Sequence, residues 1–552
     1  MDGLPEILLK LLETRGIAGA DLERYLNPSL ADLANPEELP GVAAAADVIL
    51  EVAASKRKIV VFGDYDCDGV CATAILVKTL TAIVPSVPIA AFLPERLSEG
   101  YGMSDASVAR LLKEHPDVAL VVTVDNGINS VGQIASLKAR GVRVVVTDHH
   151  LPGEQLPAAE ALVNPKVAAP AHFATLCGAG VAFLLANRLV AEAKARGVYD
   201  GPSVGGPLLV LAGLATVTDI MPLLGQNRVI VAEALRHFRA WAPIGLLELY
   251  ARAARNGADR LTSRDFGFLL GPRINAAGRL KSGMDALDLI LETNRERVRE
   301  YAMRIDLCNT ERKSVEQKMT DEAMSKVVPG AAAQMIDLPT GHPGVAGIVA
   351  ARVLESLGGT VPVCVLAGGH GSARAPEGFN LREAFVACDE FLTTYGGHAQ
   401  AGGFATKPGM VDAFREALCA YAAARCGETP SAASEADAAE LWIQTQDITL
   451  ELAEAVERLE PFGEANAEPV FGIHKVCFTD VKPMGADGKH LSVTIASSSR
   501  ASRGCLRAVW WGHGDLVDSL RAAGSTPHDV VFNLIVSDYG ERHAELRLRH
   551  IG

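Results

Sequence analysis

Ile59-Val60-Val61-Phe62-Gly63-Asp64-Tyr65-Asp66-Cys67-Asp68-Gly69 runs a β-branched apolar stretch straight into a glycine and alternating carboxylates. An apolar run of this length, with no polar residue between its members, reads as a strand buried on both faces. Two further segments repeat the pattern. Ala119–Val124 stops at Asp125-Asn126-Gly127, and Val142–Thr147 stops at Asp148-His149-His150. Helical stretches, Val70 to Val84 and Ser130 to Arg140, alternate with these runs. The pattern predicts βαβ units, a parallel sheet, and polar clusters gathered beyond the carboxyl ends of its strands, where open α/β sheets bind ligands.

Outward from this sheet, residues Asp285 to Val328 are charged, lack glycine and proline, and space Leu287, Ile290, Leu291, Val298 and Met303 helically. Long helices joining two lobes are predicted there. A mixed α/β unit follows over about 329–427, with the apolar run Val361 to Ala367 and two glycine-rich stretches, GGHGSAR and GGHAQAGGF. Residues 428–440, ETPSAASEADAAE, read as a linker. Short alternating runs over 441–552 (Val470 to Ile473, Leu491 to Ala496, Cys505 to Trp511, Val530 to Val536, Ala544 to Leu548) predict a small all-β barrel. The expected division is therefore 1–284, 285–328, 329–427, 428–440 and 441–552.

The 552 residues, 49% hydrophobic and 21% charged, exclude disorder, collagen and coiled coil as classes. A net charge of -14 argues against a broad basic surface, so an anionic substrate needs a local groove with metals or clustered arginines. No signal sequence or membrane span is legible: acidic residues interrupt the N-terminal stretch, and Asp219 interrupts Pro207 to Leu224. A cytoplasmic location is expected. The ten cysteines form no CxxC pair and read as reduced thiols.

Asp64, Asp66 and Asp68 place carboxylates at alternate positions in a tight loop, where they repel unless cations bind them. A calcium loop would need a closing Glu, and the residues after Gly69 are an apolar helix start instead. Asp148-His149-His150 offers potential ligands or acid–base groups at a strand end, and Asp125 adds a carboxylate at another. Asp219 closes an apolar run, where burial is costly without a cation or strong hydrogen bonds. Asp64, Asp66, Asp125, His149 and Asp219 together supply oxygen and nitrogen donors suited to Mn²⁺ or Mg²⁺, in the manner of a two-metal hydrolytic site.

DYDCDG, DNG, TDHH and the Asp219 segment, in this order, resemble the DHH phosphoesterase superfamily. GYG at 100–102, GPRINAAGRL at 271–280, HPGVAGIVAARVL from His342, GSAR at 371–374, GGHAQAGGF at 396–404 and PFGEANAEPVF at 461–471 narrow the resemblance to its RecJ exonuclease family, over nearly the whole chain. Departures are Gly341 where the family often has Trp, Cys67 where a smaller residue is usual, and Ala465 where Gly is common. The resemblance implies an α/β architecture of a DHH domain, a long linking helix, a DHHA1 domain and a C-terminal OB-fold. It implies removal of nucleotides from single-stranded DNA, 5′ to 3′, in repair and recombination. It also implies that Asp64, Asp66, Asp125, His149 and Asp219 hold two divalent cations with Asp125 bridging, that Asp68 fixes the loop, and that His150 lies at the scissile phosphate.

Strand-end recognition has candidates of suitable chemistry. Ser372 and Arg374 offer a hydroxyl and a guanidinium fork to a terminal phosphate, and Gly397 with His398 allow close backbone approach. Arg273, Asn275 and Arg279 suit backbone phosphates or, alternatively, inter-lobe salt bridges. Arg96 and Tyr101 pair a phosphate binder with an aromatic platform, as single-strand recognition requires. On the barrel, arginines mix with Trp510, Trp511, Phe532, Tyr539 and His490. The expected partner is single-stranded DNA; a helicase or single-strand-binding protein is a further candidate that no segment names. Competing readings are a DHH phosphodiesterase for short RNA or cyclic dinucleotides, and a scaffold without catalysis.

Overall fold

The computed structural model describes residues 4–100, 102–202, 204–254, 261–425, 439–497, 505–524, 526–538 and 541–552. Lys58–Phe62 (β1), Ile89–Phe92 (β2), Val118–Thr123 (β3), Arg143–Thr147 (β4) and Ala161–Val163 (β5) form a parallel sheet in the order β2-β1-β3-β4-β5. β3 is buried at every position, as its unbroken Val-Ala-Leu-Val-Val-Thr composition requires. Helices α1 (Cys67–Ile83), α2 (Gly178–Ala195) and α3 (Gly205–Thr218) pack on one another and share one apolar core with Ile59 and Val61 of β1 and Leu120 and Val122 of β3. The predicted Val70 to Val84 helix starts three residues early because Asp66 caps it, its side chain accepting from Gly69 N at 3.0 Å.

After α3, a single π-helical turn, Phe266–Leu270, leads into α4 (Gly271–Leu280). The predicted connecting helices are Met284–Leu291 and the 31-residue α5 (Arg295–Ser325). The second lobe is a mixed sheet, β6 (Gln334–Leu338), β7 (Val363–Ala367), β8 (His370–Arg374), β9 (Leu392–Gly397) and β10 (Ala401–Thr406), in the order β6-β7-β8-β10-β9. Only β6 and β7 pair in parallel. α6 (Ala346–Ser356) packs on β7 and β8.

The chain divides into two compact units, and the expected first boundary is corrected. The residues up to Asp32 do not belong with the parallel sheet. Leu8, Leu11, Leu12, Leu22 and Tyr25 share one apolar core with Phe471, Phe532 and the rest of the C-terminal unit. Tyr25 Oη donates to Asn466 Oδ1 at 2.7 Å, fixing the contact. An apolar face on a short amphipathic helix carries no mark of which sheet will cover it, so sequence order alone misassigned it.

That second unit is the expected barrel: β11 (Leu441–Trp442), β12 (Val470–Met484), β13 (His490–Ser497), β14 (Cys505–Trp510), β15 (His528–Ser537) and β16 (His543–Ile551), closed by pairing of β12 with β15. Phe532 and Trp510 are core, whereas Trp511 is exposed. Ala465 adopts φ 55°, the left-handed conformation that explains why glycine suits this position better. The linker expected at 428–440 lies mostly outside the described residues.

Candidate metal centre

The three polar clusters meet where the parallel strands end. Asn126 Nδ2 donates to Phe62 O at 3.3 Å and Val124 O at 2.8 Å, tying β1 to β3. Asp148 Oδ2 accepts from Ile128 N at 2.9 Å, tying β4 to the same turn. Asp125 holds φ 62°, a left-handed conformation that aspartate adopts more readily than most side chains, and it directs the carboxylate toward His149.

Within this turn cluster, Asp64, Asp66 and Asp125 form one group of donors able to hold a cation, Asp68, His149 and Asp219 form another, and Asp125, His149 and His150 make a third that overlaps both. The first two groups touch: His149 Nε2 lies 3.1 Å from Asp125 Oδ1, and 3.7 Å from both Asp68 Oδ2 and Asp219 Oδ2. All five residues expected as ligands are thus brought together. Asp68 is the member that sequence reading set apart. It does fix the fold, accepting from Gly178 N and Ala179 N at 2.7 Å each at the start of α2, but its carboxylate also faces His149. Position alone could have found it, since i+2 spacing from Asp66 matches that of Asp64 to Asp66.

Electrostatics show what this arrangement lacks. Burial, then the neighbouring Asp66, pushes the Asp64 carboxyl well above the usual range. Burial with Asp68, Asp66 and Asp219 does the same to Asp125, and burial with Asp68 pushes Asp219 up to about 9. Neither Asp64 oxygen, nor Asp219 Oδ2, has a well-formed hydrogen bond although all three are buried. Carboxylates this dense ionise together only beside cations. The donors are oxygen and imidazole nitrogen, which fits Mn²⁺ or Mg²⁺. Burial lowers the pKa of His149, keeping its imidazole neutral and ready to ligate.

His150 is held differently. Its Nδ1 lies 2.7 Å from Asp148 Oδ1, an oxygen that also accepts from His149 N at 2.7 Å. Burial disfavours the charged ring, but the Asp148 hydrogen bond and charge outweigh it and raise the His150 pKa. Asp148, a potential ligand or acid–base group by sequence, here serves to orient His150.

Arginines from both lobes approach the acidic loop. The Arg96 guanidinium lies 5.1 Å from the Tyr65 ring centroid. Arg279 donates to Gly344 O at 3.2 Å and has its pKa lowered to about 10 by burial, then by Arg96, with smaller contributions from Arg312 and Arg374. Burial and Arg96 lower Arg374 as well. Arg96 thus acts electrostatically on both Arg279 and Arg374, an arrangement of guanidiniums suited to an anion. Gly347, near the start of α6, leaves room there: a Cβ would sit 3.2 Å from Arg374 Nη2 and 3.6 Å from Ser372 Oγ.

Other expected substrate contacts are placed otherwise. Arg273 is engaged inside the protein, with Asp306 Oδ1 at 2.8 Å and Leu269 O at 2.8 Å, so the salt-bridge alternative describes it. Asn275 Oδ1 accepts from Cys67 N at 2.7 Å and so braces the acidic loop. Gly397 has φ 127° at the β9–β10 turn, where His398 N donates to Ala401 O at 2.8 Å; His398 itself is exposed. Tyr101 lies outside the described residues.

Comparison with known proteins agrees with this geometry. Residues 58–202 match the DHH family, N-terminal domain, and residues 439–550 match the RecJ OB domain. The chain is 34% identical to the single-stranded-DNA-specific exonuclease RecJ of Dickeya dadantii, over 85% of this chain and 84% of that protein. It is 32% identical to the RecJ of Bacillus subtilis over 93% of this chain, spanning 64% of that longer relative. The crystal structure of RecJ in complex with Mn²⁺ from Thermus thermophilus superposes with a TM-score of 0.80 at 29% identity, covering 100% of this chain and 78% of that one. A Mg²⁺ complex of the same protein aligns at 0.75. With its acidic strand-end cluster, its barrel and these relatives, the chain belongs to the RecJ family.

Proposed function

We propose that the protein is a metal-dependent exonuclease that shortens single-stranded DNA from its 5′ end and releases nucleoside 5′-monophosphates. The observation that carries this reading is the pairing of two cation-holding groups, joined at Asp125 and His149, with three arginines from two lobes. Asp64, Asp66 and Asp125 would hold one cation, and Asp125, His149, Asp219 and Asp68 the other. Bound there, the cations supply acidified water and charge neutralisation for phosphodiester hydrolysis.

The protein's own groups do the rest. Asp148 holds the Nδ1 proton of His150, leaving Nε2 to donate to the scissile phosphate. Arg279, Arg374 and Ser372 take the terminal phosphate, and Arg96, steadied on Tyr65, takes the next one along the backbone. A single strand must be exposed before it can be threaded, which makes a helicase or a single-strand-binding protein the fitting partner class in repair and recombination. Among the described residues no helix is long and apolar enough to cross a membrane, and a DNA substrate accords with a cytoplasmic location.

A long single strand carrying separate labels at its two ends, incubated with Mn²⁺, Mg²⁺ or chelator, tests the reading. Metal-dependent early release of the 5′ label as a mononucleotide is expected, with the 3′ label retained in shortening strands. Turnover of dinucleotides without attack on long DNA would move the chain to the small-oligonucleotide phosphodiesterases.

A further inference from the structure

The last turn of α3 ends in a double hydrogen-bonded cap. Met221 N donates to Thr216 O at 3.1 Å and Ile220 N to Val217 O at 3.2 Å, with Ile220 at φ 56°. This cap favours glycine at the left-handed residue, and a β-branched side chain there is a steric outlier. Burial does not compensate, because Ile220 is 69% exposed. It directly follows Asp219, whose carboxylate reaches His149. A strained, exposed isoleucine beside a reactive centre is the kind of outlier from which a functional contact is inferred.

A second observation stands against the same helix end. The π-helical turn Phe266–Leu270 and the first residue of α4 pack there through glycines: a Cβ at Gly267 would lie 3.6 Å from Val217 Cγ1, and one at Gly271 would lie 2.3 Å from Thr218 Cγ2. Single π-turns inside helices concentrate at functional sites. The turn buries Phe266 but leaves Phe268 68% exposed, with the Arg264 guanidinium 5.1 Å from its ring centroid. An exposed aromatic ring beside an arginine is the pairing that grips a nucleotide, the ring by stacking and the cation by phosphate contact.

We propose that Ile220 and the Phe268–Arg264 pair form a nucleoside shelf beside Asp219, on which an unstacked base of the strand rests while its phosphate lies at the acidic cluster. The inference rests on the exonuclease reading above. It makes the apolar rim, and not only the arginines, part of single-strand selection, since a base held in a duplex stack cannot lie on it.

The test compares a normal single strand with one whose 5′-terminal residues are abasic, at saturating Mn²⁺. Wild type should favour the base-bearing strand by about tenfold in kcat/KM, the lower part of what stacking on an aromatic supplies. Phe268→Ala should raise KM for the normal strand by about that factor, leave kcat and Mn²⁺ affinity unchanged, and erase the preference; Phe268→Trp should keep it. Ile220→Gly should raise the unfolding midpoint by about 1–3 °C while raising KM several-fold, and Ile220→Val should behave as wild type. If Phe268→Ala and Ile220→Gly both keep wild-type KM within twofold, the shelf is overturned. Failure of wild type to degrade the normal strand would instead overturn the exonuclease reading, and the shelf with it.

Discussion

Adding one methyl group at Gly178 tests how tightly the metal centre is built. A Cβ there would lie 2.5 Å from Asp125 Cβ, 2.7 Å from Oδ1 and 2.8 Å from Cγ, all inside the closest approach that side chains tolerate. Neither neighbour can yield freely. Asp125 sits on a left-handed backbone whose preceding residue, Val124, donates to Phe62 O at 2.8 Å. Gly178 is pinned because its own N and that of Ala179 donate to Asp68. If Asp125 gives, it leaves His149; if α2 gives, at least one charge-assisted hydrogen bond of about 1.5–3 kcal/mol is lost. Overpacking of this kind costs about 1–3 kcal/mol. Spent on the cation-bound geometry, that is roughly a tenfold to hundredfold loss of Mn²⁺ affinity. Gly178→Ala should therefore need about 10–100 times more Mn²⁺ for half-maximal activity, read by activity titration and by spin-resonance counting of free Mn²⁺, with kcat recovering in excess metal. Half-saturation within twofold of wild type would show that Asp125 does not hold the cation in this position.

Arg374→Ala should reduce the preference for a 5′-phosphorylated over a 5′-hydroxyl strand by about tenfold, from loss of one charge-assisted contact, and an unchanged ratio would remove it from the end pocket. Asp148→Asn removes the charge and hydrogen bond that raise the His150 pKa. With protonated His150 as the donor, activity falls as pH rises through that pKa, so the alkaline limb of kcat/KM should move to lower pH; a limb that stays put would deny His150 a proton-donating role. In chelator, the acidic cluster should make stability fall with rising pH. Asp64, Asp125 and Asp219 have folded-state pKa values above their unfolded ones, so the folded state holds more protons; its advantage is present below about pH 4 and is lost as pH climbs toward about 9 for Asp219. Melting curves from pH 6 to 8.5 should drop in chelator and stay nearly level with Mn²⁺, and parallel curves would contradict cation binding by these groups.

The parallel sheet and its ligand-bearing end were readable because two physical signals coincide at each strand. An apolar run tells of burial on both faces, and its abrupt polar stop tells where the sheet ends. Asp68 carries the same alternate spacing as Asp64 and Asp66, but its two hydrogen bonds to α2 and its approach to His149 depend on a helix more than a hundred residues away in sequence. Arg273 and Asn275 show the converse failure. Their chemistry suits phosphate, but Asp306 and Cys67 N reach them first, and a sequence does not reveal which partner wins. Gly341 stands where the family often has Trp; a Cβ here would already lie 3.0 Å from Leu338 O and 3.0 Å from Met319 Cε, so this chain closes the space that a larger side chain would need.

The net charge of -14 and the proposed anionic substrate are reconciled by where the charges lie. A broad basic face would attract nucleic acid everywhere and select no strand end. Here Arg96, Arg279 and Arg374 are gathered beside carboxylates that would themselves repel a phosphate. Each group alone is unfavourable: burial, with Arg96 beside them, disfavours the charged forms of Arg279 and Arg374, and burial with neighbouring aspartates disfavours ionisation of Asp64, Asp125 and Asp219. Divalent cations relieve the acidic half and a phosphate relieves the basic half, so cations and strand terminus together complete what neither completes alone.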